Sequence, residues 1–109
     1  MTKLEILKDS QFTTRIASGA ALVEFSSPTC APCRKIEPLL EKLADEFAGK
    51  VSFLKVNVNE CPITTARFHI RSVPTLLFIR DGNVEAQLVG AVAPQAILER
   101  LRALAAARS

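Results

Sequence analysis

Two cysteines stand in the stretch Ser26–Arg34, SSPTCAPCR, with Ala31 and Pro32 between them. Cys30 follows a short apolar run and a loop, and Cys33 opens a stretch with helical periodicity. The first N–H groups of a helix lack intrahelical partners and carry partial positive charge. A thiolate placed there is stabilised, so its pKa falls below that of a free thiol. The effect is greatest at Cys30, just before the first turn. Cys33 is expected to be more buried and less ionised. That asymmetry suits two-step exchange: Cys30 attacks a disulfide as thiolate, and Cys33 then attacks the mixed disulfide at Cys30. Pro32 fits a helix opening, where its missing N–H costs little. Ala31 is small enough to let a substrate chain pass.

Two other uses of the pair are weaker. Zinc would need Cys61 and His69 as its remaining ligands, and the seven residues between them match no common zinc pattern. A purely structural disulfide at this spacing closes a tiny loop and adds little stability.

The chain carrying these cysteines has 109 residues, the size of one domain spanning 1–109, and at 49% hydrophobic residues it can bury a core without disulfide staples. No apolar run reaches the length of a membrane-crossing helix. The N-terminal MTKLEILKDS, with Glu5 and Asp9, does not read as a signal peptide. Three cysteines, an odd number, point to a reducing compartment and thiol chemistry. A net charge of +3 without a basic run, and without Trp or Tyr, argues against nucleic-acid binding.

The elements that must position the cysteines follow from periodicity and punctuation. Leu4–Leu7 reads as a short edge strand. Asp9 or Ser10 is expected to cap a helix through about Ala17, before Gly19. Ala21–Phe25 reads as a buried strand. Ile36, Leu40, Leu43 and Phe47 form one stripe of a helix, with Arg34, Glu37, Glu41 and Asp45 mostly off it. Pro38 should kink this helix and Gly49 end it. Val51–Val58 reads as a strand. Asn59 is expected to cap a short helix to about Phe68, with Pro62 in its first turn. Thr75–Ile79 and Val84–Val89 read as strands joined by an Asp81–Gly82 hairpin turn. Pro94 opens a last helix with Ile97, Leu98 and Leu101 on one side. The order β-α-β-α-β-α-β-β-α predicts an α/β fold with a mixed sheet and helices on both faces.

From about Ala21 to Leu104 the chain resembles the thioredoxin family. Cys30-Ala31-Pro32-Cys33-Arg34 is similar to the family's Cys-Gly-Pro-Cys-Lys motif, and Pro38 matches its kinking proline. Lys55 in KVNVN, the segment RSVPTLLFIRDG and Gly90 in LVGA add separated matches. The resemblance implies the thioredoxin fold, a central mixed five-stranded sheet flanked by four helices. It also implies a protein-disulfide reductase without a cofactor beyond its own Cys30–Cys33 disulfide. Cys30 would be the nucleophile and Cys33 the resolving thiol. Pro74 would be a cis-proline facing them, and Val73 would pair its backbone with substrate. Thr29, Ala31, Pro32 and Gly90 would border the substrate groove.

Glu24 stands where the family has a buried aspartate acting as proton acceptor for the resolving thiol. Lys55 would be its partner. A buried carboxyl has a raised pKa, which suits proton transfer near neutrality. The alternative is a structural Glu24–Lys55 pair. The implied partners are disulfide-containing proteins and a reductase as electron donor, such as thioredoxin reductase, with the chain acting as a cytoplasmic monomer.

Ser26 and Thr29 depart from the family, which has tryptophans at both positions. Their absence leaves two further readings open. One is a redox protein with an oxidising or isomerising poise or a dedicated partner. The other is an interaction module without turnover. Cys61 reads either as a regulatory thiol or, more simply, as a core residue. His69 reads as a helix end in left-handed conformation.

Overall fold

The computed structural model describes residues 3–106. Five strands and four helices follow the expected order: β1 (Glu5–Leu7), α1 (Asp9–Ile16), β2 (Ala20–Ser26), α2 (Ala31–Glu46), β3 (Ser52–Asn57), α3 (Pro62–Arg67), β4 (Thr75–Arg80), β5 (Asn83–Val89) and α4 (Pro94–Ala106). The strands form one mixed sheet in the order β1-β3-β2-β4-β5. β1 and β2 run parallel to β3 on either side of it, β4 is antiparallel to β2, and β5 is antiparallel to β4. The hairpin turn has positive φ at both Asp81 (48°) and Gly82 (83°), which matches the twist of the flanking strands.

Because side chains alternate along a strand, β2 feeds two cores. Ala21, Val23 and Phe25 point to the side of α1 and α3, where they pack with Phe12, Ile16, Leu54 and Leu77. Leu22 points the other way, to Leu40, Phe53, Leu76, Ile97 and Leu101 on the side of α2 and α4. Of the stripe expected on α2, Leu40 and Leu43 are buried, and Ile36 and Phe47 pack half-buried against them. Pro38 lies inside α2 and has no N–H to offer the Arg34 carbonyl.

Two caps differ from expectation. The N-cap of α1 is Lys8, whose N–H donates to Gln11 Oε1 at 2.8 Å, so Asp9 lies inside the helix. That frees the Asp9 carboxylate to cap α3: it accepts from the backbone N–H of Ile63 (3.0 Å) and Thr64 (2.9 Å) and from Thr64 Oγ1 (2.6 Å). Asn59 does not cap α3. The N-cap position is Cys61, and the Asn59 N–H donates to Asn57 Oδ1 at 2.9 Å in a local turn. His69 takes the left-handed conformation expected after α3, with φ 55°.

Candidate functional site

β2 ends at Ser26, and the loop Ser27–Thr29 delivers the chain to α2. This loop is tied at both ends. The Cys30 N–H donates to Ser27 O at 3.2 Å, and the Arg34 guanidinium reaches back to Pro28 O at 2.7 Å. Cys30 is the N-cap of α2, and its Sγ accepts the Cys33 backbone N–H at 3.1 Å. A sulfur thus fills the place where Ser or Asp usually serves, at the positive end of a 16-residue helix. Pro32 stands in the first turn, as its chemistry predicts.

Cys30 and Cys33 are joined as a disulfide, with Cα atoms 5.2 Å apart. Cys30 is 7% exposed and Cys33 fully buried, flanked by exposed Thr29, Ala31 and Pro32. The asymmetry expected between the two sulfurs is therefore present in their burial.

The Val73–Pro74 peptide is cis. Thr75 Oγ1 donates to Ser72 O at 2.7 Å, and the Gly90 N–H donates to Pro74 O at 2.8 Å. Gly90 accordingly holds the Pro74 loop to the end of β5, with a positive φ of 82° that suits glycine. The loops before Cys30 and before Pro74 meet at a cleft of about 240 Å³, lined in part by Ser27, Thr29, Ile70, Arg71 and Val73. With Thr29 short and polar, this cleft stands open.

Beneath the disulfide side of β2 lies a charged group of residues. Glu24 is fully buried, and neither carboxylate oxygen has a hydrogen-bond donor in reach among the described residues. Burial pushes its carboxyl up to about 9, the Glu37 carboxylate adds to the shift, and the Lys55 charge opposes it. Glu24 and Lys55 face each other in the β2–β3 register, as the expected pairing requires. The ion pair nonetheless forms elsewhere: Lys55 Nζ lies 3.0 Å from Glu37 Oε2. A carboxyl that keeps its proton is no counterion, which accords with the ammonium pairing with Glu37 instead. Ser26 Oγ donates to the same Glu37 oxygen at 3.3 Å. Glu37 is the residue that sequence reasoning missed. Its signal was the spacing of one helical turn from Cys33, which puts both on one face of α2.

Cys61 sits in the core of the α1/α3 side, with its thiol donating to Leu7 O at 3.4 Å. Burial, Asp9 and Glu60 all push its pKa up. Packing, not reactivity, governs such a thiol. His69 is exposed at the end of α3. Among the described residues, no group of three or more His, Cys, Asp or Glu converges as metal ligands would. No helix among the described residues is long and apolar enough to cross a membrane.

A disulfide of two closely spaced cysteines at the start of a helix, with a cis-proline loop on the same mixed five-stranded sheet, defines a thiol–disulfide oxidoreductase. The thioredoxin family model matches residues 3–103. Thioredoxin of Haemophilus influenzae is 42% identical over 94 residues, covering 84% of this chain and 88% of that protein. Thioredoxin of Staphylococcus epidermidis is 43% identical over 82 residues, covering 75% of this chain and 79% of that protein. Chloroplastic thioredoxin M4 of Arabidopsis thaliana is 43% identical over 96 residues, and there the match covers 86% of this chain and about half (49%) of the plant protein. The chain belongs to the thioredoxin family.

Proposed function

We propose that this chain, as a single domain over 1–109, reduces protein disulfides by dithiol–disulfide exchange. The observation that carries the reading is the division of labour at the helix start. Cys30 is the capping sulfur at the edge of the surface, and Cys33 is sealed beneath it. Cys30 attacks one sulfur of the substrate disulfide, forming a mixed disulfide and releasing the other as thiolate. Cys33 then attacks Cys30, and the second substrate sulfur leaves. Glu24 handles the proton that Cys33 must lose, with Lys55 tuning its charge. The open cleft beside Thr29 and the Val73 backbone receives the substrate chain along Ala31, Pro32 and Gly90.

The partners are disulfide-containing proteins and a reductase such as thioredoxin reductase, and no cofactor beyond the Cys30–Cys33 couple is required. The chain works as a monomer in the cytoplasm. Bacterial thioredoxins among the relatives support this setting, although a chloroplast protein matches as well.

Two measurements test the reading. Cys30→Ser abolishes reduction of a protein disulfide, whereas Cys33→Ser leaves the substrate trapped on Cys30. The wild-type couple, equilibrated in graded dithiothreitol buffers and read by thiol mass-tagging, lies near about −270 mV. A potential at about −120 to −180 mV would instead make the chain an oxidant or isomerase.

A further inference from the structure

The face of β2 that carries Glu24 also carries Ser26, and Lys55 and Asn57 lie on the same face of β3. The charged groups that act on Glu24 are Lys55 from β3 and Glu37 from α2, and Cys33 lies one helical turn before Glu37 on α2. The remainder of that face is apolar, with Leu76 from β4 and Ile97 and Leu101 from α4.

Held against its ordinary value of 4.5, the Glu24 carboxyl is protonated at neutral pH. A protonated acid cannot accept a second proton from Cys33, but it can pass one along. One oxygen takes a proton while the other gives its own away. That transfer needs an acceptor, and the geometry supplies one. Among the described residues nothing donates to either Glu24 oxygen, so the proton available for a hydrogen bond there is the carboxyl's own. Once Glu24 holds a proton it becomes the donor, and the Glu37 carboxylate becomes its acceptor. Glu37 in turn is 18% exposed, and its two partners, Ser26 and Lys55, line a cavity of about 220 Å³ with Asn57. A cavity of that size, with Ser26, Lys55 and Asn57 in its lining, has room and polar partners for water.

We propose that Glu37 is a positioning residue that passes the proton of Glu24 to water, through the cavity where Ser26 and Lys55 meet solvent. The proposal rests on Glu24 handling the Cys33 proton. In the resolving step the Cys33 S–H proton moves to one Glu24 oxygen as the other oxygen releases its proton to Glu37. The Cys33 thiolate pair forms the S–S bond to Cys30, and the Cys30–substrate S–S bond breaks with its pair on the departing substrate thiolate. The dithiol is oxidised by two electrons and the substrate disulfide is reduced by two. Glu37 returns its proton to water, which restores its pairing with Lys55.

The test compares wild type, Glu37→Gln and Glu24→Gln in single turnovers. Each fully reduced protein is mixed with excess peptide disulfide, and Cys30–Cys33 formation is followed by acid quenching from pH 5 to 10. Glu37→Gln is expected to slow the resolving step roughly tenfold at pH 6, with the deficit fading as pH rises and Glu24 ionises unaided. A slowdown by the same factor at every pH means a structural effect and overturns the relay. If Glu24→Gln slows the step but Glu37→Gln leaves the profile unchanged, the relay falls and the role of Glu24 stands. If Glu24→Gln changes nothing, the Glu24 reading itself fails and the relay with it.

Discussion

On the α1/α3 side of the sheet, Phe12, Phe25 and Phe68 meet with ring centroids 5.5–6.4 Å apart, and Arg67 covers the Phe68 ring at 4.8 Å. One residue away on the same strand, and facing the other side, stands Glu24. Leu22, Val23 and Phe25 are as deeply buried as Glu24, so depth does not distinguish the two sides. Their partners do. On the aromatic side the three rings meet edge-on or tilted and need no solvent among them. The α2 side leaves a carboxyl without a donor, a lysine bound to a second acid and a cavity beside them. That arrangement is what the proposed proton transfer beneath the disulfide would use. On that reading the same β-strand holds the aromatic core with its odd-numbered residues and serves the chemistry with Glu24 and Ser26.

The contrast can be broken first from the aromatic side. Phe25→Ala empties a fully buried position among three rings and should cost about 3–5 kcal/mol in urea unfolding. The variant that remains folded should exchange disulfides at the wild-type rate. A comparable loss of exchange rate would mean that the two sides are not separate in function.

Next in size is the pH dependence that Glu24 imposes. Its folded-state pKa of about 9 lies above the ordinary 4.5, so the unfolded chain releases this proton first. Below the ordinary value both states hold the proton and Glu24 costs nothing. As pH climbs toward the folded value, stability is lost. Glu24→Gln removes that loss, because an amide can donate to Glu37 without titrating. The gain should be near zero at pH 4 and on the order of 2–3 kcal/mol by pH 6–6.5, measured as the difference between urea midpoints across pH. Parallel pH curves for the two proteins would show that burial of Glu24 does not load this side.

The smallest effect is expected at the border of the aromatic side, where Asp9 caps α3 from α1. Asp9→Ala should lower the thermal midpoint by a few degrees, with no change in exchange rate. Hydrogen exchange confined to Ile63 and Thr64 would localise the loss.

How far these features could be read in the sequence depends on the range of the interactions that fix them. The strand and helix order follows from local periodicity and from Gly, Pro and Asp-Gly punctuation, and it is the order found. The cysteine pair and the X-Pro segment announce themselves by residue type. Element ends moved by a residue or so, because fraying and capping decide them. Caps were read poorly where the donor and acceptor are distant in sequence: Asp9 and Thr64 are separated by 55 residues. Glu37 stayed hidden for a related reason. A glutamate beside the apolar stripe of an amphipathic helix reads as solvated, and only the folded sheet brings Lys55 and Ser26 beneath it. The Lys55–Glu37 ion pair was not legible because it joins β3 to α2 across the fold, whereas the raised carboxyl at Glu24 and its place opposite Lys55 agree with what the resemblance implied.

The sulfur of Cys30 also closes the end of α2, accepting the Cys33 N–H that would otherwise lie open. As a thiolate it makes a charge-assisted cap, and as half of a disulfide it is a weaker acceptor. Each electron pair gained or given up is therefore felt in how firmly the first turn is held. The helix end works as a gauge of the couple's filling, tight when charged with electrons and slacker when spent.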